Sequence, residues 1–257
     1  MSEPTLHEQL TRLGFRLPES TFDALMKDAI RAKRAPRELV EALAEAERRA
    51  RHDRQLERRQ RQAMLGTFRT LDEFDWAHPR SIDRVLYEDL LSMDFVACHI
   101  NVLFRGAVGL GKTTLAKNLG QRALQSGYSV RFVTLAGMLA DISRPDAPVL
   151  QQRRMRRYTQ PDLLIIDEIG YVPFDARSGD VFYNVIAERH EKASTIATTN
   201  LPFKAWGSVL GDAASVIALI DRFSENLHVL DIEGDSARAS RRDPKASSSP
   251  RRKKSRR

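Results

Sequence analysis

Long hydrophobic runs and cysteines are scarce in this 257-residue chain, and each scarcity excludes something. No apolar stretch approaches the roughly 18 residues of a membrane-spanning helix, so none is expected. A single cysteine, Cys98, cannot close an internal disulfide; it fits a reducing interior and reads as a small core residue. The opening MSEPTLHEQL has neither the basic nor the apolar region of a secretion signal, which points to the cytosol.

Charge is abundant but unevenly placed. The formal net charge is +8, yet the stretch from Arg241, RRDPKASSSPRRKKSRR, holds nine Lys/Arg and one Asp. The remaining 240 residues carry 33 basic and 33 acidic side chains, so they are neutral overall. Residues 241–257 have no large apolar side chain and read as a disordered basic tail, either solvated or drawn to nucleic-acid phosphates.

Residues 1–65 read as a small all-helical domain. Leu6, Leu10 and Leu13 share a face at helical spacing, as do Phe22, Leu25, Met26 and Ile30, and then Leu39, Ala42, Leu43 and Ala46. Pro18 and Pro36 stand where helices begin. The last helix contains ERRARHDRQLERRQRQ, in which Arg51, Arg54, Arg58 and Arg61 fall within roughly 80° of one another. That stripe suits either a salt-bridged solvated face or a track of phosphates.

Residues 66–99 read as an irregular lead-in with one helix from about Ser81, and from residue 100 the pattern alternates. INVLFR, YSVRFVTL, DLLIID, STIATTN and LHVLDI are strand-like, with helical stretches between them; a single short one separates YSVRFVTL from DLLIID. Strands alternating with helices predict an α/β fold with a parallel five-stranded sheet over residues 100–240.

The first strand runs into GAVGLGKTTLAKNLG, in which Gly106, Gly111, Lys112 and Thr113 satisfy the phosphate-loop pattern G-x-x-x-x-G-K-S/T. Glycines let the backbone of Gly106, Ala107, Val108, Gly109, Leu110 and Gly111 curl with its N–H groups pointing inward, and Lys112, Thr113 and Thr114 open a helix whose positive end faces an anion. Lys112 suits the β- and γ-phosphates of ATP, and the Thr113 hydroxyl suits Mg2+. Asp167 and Glu168 end an aliphatic strand 55 and 56 residues beyond Lys112. A buried strand has no structural need for adjacent carboxylates; Asp167 suits Mg2+, and Glu168 suits deprotonating the water that attacks a γ-phosphate. Asn200, at the end of STIATTN, could hold that water. Arg222 in IALIDRF could pair with Asp221 or reach a neighbouring subunit's nucleotide, and spacing alone does not choose.

These motifs together resemble an AAA+ ATPase, and more closely the IstB family of insertion-sequence transposition helpers, relatives of the DnaC helicase loader. NVLFRGAVGLGKTTLA, DEIGY and TTNLPFKAWGSVLGD carry the resemblance, which spans residues 5–238. It implies an ATPase that oligomerises on duplex DNA and presents it to a partner transposase of the integrase type. By position it makes Gly106–Thr113 the Walker A motif, Asp167 and Glu168 Walker B, Asn200 sensor I, and Arg222 an arginine finger acting in trans. It also turns the Arg51–Arg61 stripe into a DNA contact. The chain departs from the family at Ala107, Val108 and Thr114, where proline and histidine are common, and in SARAS, where Arg238 takes the basic position. A helicase loader favouring single strands is the alternative, but the helical domain offers no aromatic stacking platform. A nucleotide kinase would need no Asp167–Glu168–Asn200 set.

Overall fold

The computed structural model describes residues 3–145, 147–170, 176–210 and 214–234. Arg238 and the basic tail from Arg241 lie outside the described residues. The chain divides into two compact units, residues 1–61 and 62–257.

The first unit is built from α1 (Leu6–Arg12), α2 (Glu19–Arg31) and α3 (Pro36–Ala63), whose last turn passes the boundary. A capping box starts α1: the Thr5 hydroxyl accepts from the Glu8 amide at 3.2 Å, and the Glu8 carboxylate accepts from the Thr5 amide at 2.8 Å. Phe22 packs against His7 and Phe15, and Leu17 and Ala29 are buried. Leu6, Leu13 and Ile30 are instead exposed, because a unit of about 60 residues encloses too little interior to cover every residue with the right period.

Glu47 of α3 supplies what that thin core lacks. It is 6 % exposed, and its carboxylate accepts from the Arg16 amide at 2.8 Å and from Arg51 Nε at 2.6 Å. Burial works to raise its pKa, but the Arg51 hydrogen bond, the Arg16 amide and the charges of Arg51 and Arg54 outweigh it, so the carboxyl titrates below its ordinary range. A carboxylate held low in the folded state adds stability above the ordinary glutamate pKa, and that stability is lost as pH falls through the folded value. Glu47→Ala is therefore expected to destabilise this unit by about 2 kcal/mol at neutral pH and by much less in acid. Hydrogen exchange across α1–α3 in the full chain reads both.

The second unit opens with an irregular segment and β1 (Ser81–Ile82), α4 (Arg84–Leu90) and α5 (Asp94–Ala97). The pattern of residues 66–99 predicts a single helix from about Ser81. The structure pairs Ser81 and Ile82 antiparallel with the last strand and starts α4 after Asp83, whose carboxylate caps the Leu86 amide. Two residues are too few to show an alternation, so β1 leaves no periodic signal. Cys98, expected in the core, is exposed: the turn that ends α5 buries Phe95 and Val96 and turns Cys98 outward.

From there the chain alternates: β2 (Asn101–Gly106), α6 (Lys112–Gln125), β3 (Val130–Thr134), α7 (Leu135–Ile142), α8 (Pro148–Thr159), β4 (Leu163–Ile169), α9 (Ala176–Arg189), β5 (Ser194–Thr199), α10 (Trp206–Leu210), α11 (Ala214–Ser224) and β6 (Leu227–Glu233). Two helices, α7 and α8, stand where one short helix was expected. The sheet order is β1-β6-β2-β5-β4-β3, with β6, β2, β5, β4 and β3 all parallel. The expected five parallel strands are present, extended by the antiparallel β1.

One face of the sheet packs Leu103, Leu164, Ile166 and Ala197 under α7, α9 and α11, through Met138, Leu139, Phe182, Val185, Leu219 and Phe223. The other face takes α6. A Cβ on Gly120 would stand 2.7 Å from Ile165 Cδ1, so this helix lies close on β4 and fixes the loop that precedes it.

Candidate functional site

The carboxyl ends of β2, β4 and β5 meet at one edge of the sheet, and the register shows how closely. Arg105 stands opposite Thr199 across β2–β5, and Ile169 stands opposite Thr199 across β4–β5. Gly106, the Asp167–Glu168 pair and Asn200 therefore converge on this edge, where ligands bind in open parallel sheets.

The loop from Gly106 to Gly111 owes its path to glycine. Gly106, Gly109 and Gly111 have φ of 159°, 88° and 86°. A Cβ on Gly106 would lie 2.2 Å from the Ile232 carbonyl oxygen, so no other residue fits there. Lys112, only 6 % exposed, folds back over the loop and donates to the carbonyls of Gly106 and Ala107, both at 2.7 Å. Ala107 and Val108 are exposed, while Leu110 is buried as the loop's anchor. Thr114 is half-buried, and its carbonyl accepts from the Asn118 amide group within α6.

At the first turn of α6, the Thr113 hydroxyl donates to Asp167 at 2.9 and 3.1 Å to its two oxygens. A hydroxyl and a carboxylate are hard oxygen donors, and the hydroxyl keeps its lone pairs for a cation while its proton goes to Asp167. This pair fits Mg2+ beside phosphates.

Glu168 is exposed and sits in the left-handed region at φ 64°, uncommon for a residue with a side chain. The register explains it: Ile166 faces Ala197 and Ile169 faces Thr199, so Asp167 and Glu168 together oppose Thr198 alone. This is a β-bulge, which re-aims a side chain beside a site. Thr198 is 2 % exposed; its hydroxyl accepts from the Glu168 amide at 3.1 Å and donates to Asp167 Oδ1 at 2.5 Å.

Asn200 is exposed, with its Oδ1 3.6 Å from where a Gly170 Cβ would stand. Arg222 is the candidate that is not brought to this edge. Asn101, the first residue of β2, donates to the Phe223 carbonyl at 3.1 Å, placing Arg222 at the opposite edge of the sheet. At about 3.3 Å per strand residue, this is roughly 16 Å of strand from Gly106. Its guanidinium lies over the Tyr183 ring at 5.1 Å and donates to the Ala218 carbonyl at 3.4 Å.

Sequence reasoning passed over Thr198 and Lys117. Lys117 Nζ lies 4.2 Å above the Phe132 ring and 5.9 Å from that of Phe68. Burial lowers its pKa and the Asp167 charge pulls it back up, so a cation stands within the field of that carboxylate. Four residues after Thr113 on a helix, it carried no signal beyond an ordinary surface lysine.

Within the first unit, a hollow of about 270 Å3 is lined by Arg16, Arg51, Arg54, Gln55 and Arg58. Arg51 donates to the Gly14 carbonyl at 2.9 Å and Arg54 to the Arg16 carbonyl at 3.0 Å, and both pair with Glu47. Arg61 is exposed and outside the hollow. Four guanidinium groups against one carboxylate suit an anion such as phosphate.

Residues 9–245 match the sequence profile of the family described as IstB-like ATP binding protein. The chain is 32 % identical over 229 residues to a protein named for ATP binding in insertion sequence IS21 of Pseudomonas aeruginosa, covering 89 % of this chain and 86 % of that one. It is 30 % identical over 233 residues to the corresponding protein of insertion sequence IS5376 of Geobacillus stearothermophilus, covering 91 % and 93 %. Among solved structures, AMPPCP-bound DnaA from Aquifex aeolicus superposes with a TM-score of 0.56 at 18 % identity, over 73 % of this chain and 58 % of that one; the likeness shows a shared fold.

Proposed function

The chain belongs to the IstB-like ATP binding protein family, and from that premise we propose that it hydrolyses ATP and serves as a helper of insertion-sequence transposition. In this reading ATP-bound subunits assemble on duplex DNA and present it to a partner transposase of the integrase type. The observation that carries it is the corner where Thr113, Asp167 and Glu168 meet beside the glycine loop. A protein that only held nucleotide would have no need of a second, exposed carboxylate aimed outward by a strained backbone.

The amides of the loop and Lys112 cradle the phosphates, and Thr113 and Asp167 would hold Mg2+, which supplies charge neutralisation at the β- and γ-phosphate oxygens. Glu168 takes the proton of the attacking water, and Asn200 orients that water. Arg222, on the far edge, reaches no phosphate of its own chain; it serves a second copy's nucleotide, which makes hydrolysis depend on assembly. Arg16, Arg51, Arg54 and Arg58 contact duplex phosphates, with Arg61 extending the track and residues 241–257 adding non-specific attraction. In the same reading residues 66–99 join a helical domain of residues 1–65 to an ATPase domain of residues 100–240.

Glu168→Gln tests this. It is expected to bind ATP within about threefold of the parent and to hydrolyse it at least about 100-fold more slowly, leaving ATP-bound assemblies on duplex DNA. Phosphate release and a fluorescent ATP analogue read the two quantities. Normal turnover would remove Glu168 from the chemistry.

A further inference from the structure

We propose that Thr198 is a positioning residue for the Asp167–Glu168 corner, setting both the direction of the Asp167 carboxylate and the outward aim of Glu168. The inference rests on the ATPase reading for its kinetic arm, but not for its binding arm.

The bulge in β4 creates the need. With two β4 residues against one on β5, the Glu168 N–H has no carbonyl opposite it in the ladder. An amide at least partly shielded from water is costly to leave without an acceptor. The Thr198 hydroxyl takes that N–H at 3.1 Å and, having one proton of its own, gives it to Asp167 Oδ1. A hydroxyl is the smallest side-chain group that both accepts and donates, and here both capacities are used. Asp167 thus receives one hydroxyl from each side, Thr113 from α6 and Thr198 from β5. The left-handed backbone at Glu168 persists because this bond holds it. The Thr198 hydroxyl acts on the Glu168 amide and on Asp167 Oδ1, so its influence is exerted through these two residues.

Two substitutions separate position from bulk. Thr198→Val keeps the shape and removes the hydroxyl; Thr198→Ser keeps the hydroxyl. In the full-length protein, Thr198→Val is expected to lower kcat for ATP at least about tenfold with KM within about threefold, and to raise several-fold the Mg2+ concentration that half-saturates binding of a fluorescent ATP analogue. Thr198→Ser is expected to restore both to within about twofold of the parent, and a thermal melt accompanies each protein. Should Thr198→Val fail to fold, Thr198→Ala carries the same expectations. Mg2+-supported binding is read whether or not the parent turns ATP over, so a parent that binds without hydrolysing would defeat the ATPase reading and leave this proposal to the Mg2+ shift. An unchanged Mg2+ dependence in a folded hydroxyl-less variant, or an equal loss in the serine variant, would overturn it.

Discussion

Lys112→Ala is expected to weaken ATP binding by at least about 30-fold, which corresponds to roughly 2 kcal/mol. The side chain is buried over the loop, and its amine donates to the Gly106 and Ala107 carbonyls at 2.7 Å. Removing the amine deletes a positive charge beside the phosphate loop and takes from those two carbonyls the donor they share. Both effects act against the bound anion. Neither should reach the sheet, because Lys112 lies at the very start of α6 and the buried apolar face of that helix begins at Leu115. Titration with a fluorescent ATP analogue alongside a thermal melt checks both parts: affinity falls and the melt of the nucleotide-free protein stays within a few degrees. Binding at parent affinity would mean that the loop amides alone hold the phosphates.

Arg189→Leu is expected to cost the second unit about 3–5 kcal/mol, enough to leave much of the protein unfolded at 37 °C. Arg189 ends α9 and is 1 % exposed. Its guanidinium donates to the Thr195 hydroxyl at 3.0 Å and to the carbonyls of Tyr158 at 3.0 Å, Pro161 at 2.7 Å and Ser194 at 2.5 Å, with Thr159 and Asp162 at 3.3 and 3.5 Å. These acceptors belong to the end of α8, the approach to β4 and the start of β5. One side chain therefore binds together three segments at the amino edge of the sheet, and β4 and β5 carry the candidate site at their other ends. Leucine matches the apolar stem but strands several buried carbonyls. Arg189→Lys should also lose stability, since a point charge cannot reach acceptors spread around a planar fork. Soluble yield and urea unfolding read the effect; an unfolding free energy within about 0.5 kcal/mol of the parent would mean that water replaces the guanidinium.

The parts of this molecule legible in sequence are those whose cause is local. GAVGLGKTTLAKNLG fixes a loop and a helix start within a few residues, and the aliphatic runs NVLF and LLII are strands because both faces of the sheet are covered. The five parallel strands followed from the alternation and the family from the resemblance, whereas the strand order is seen only in the structure. What escaped depends on partners far along the chain. The bulge at Asp167–Glu168 exists only in register with Thr198, about 30 residues away. Arg189 carries no signal in the sequence, because nothing nearby along the chain shows the ring of carbonyls around it. Arg16 joins Arg51, Arg54 and Arg58 through the turn between α1 and α2, which a helical wheel of α3 cannot show. Cys98 failed for a related reason: scarcity and apolar character suggested burial, and a turn of backbone decided otherwise.

Sedimentation of the full-length protein on duplex and on single-stranded DNA, with ATP, with ADP and without nucleotide, tests the central claim most directly. The account predicts large assemblies on duplex of any sequence, formed with ATP and dispersed with ADP, and weakened when Arg16 and Arg58 are both replaced by glutamate. Assemblies confined to single strands, or none on duplex whatever the nucleotide, would contradict it and move the reading toward a helicase loader.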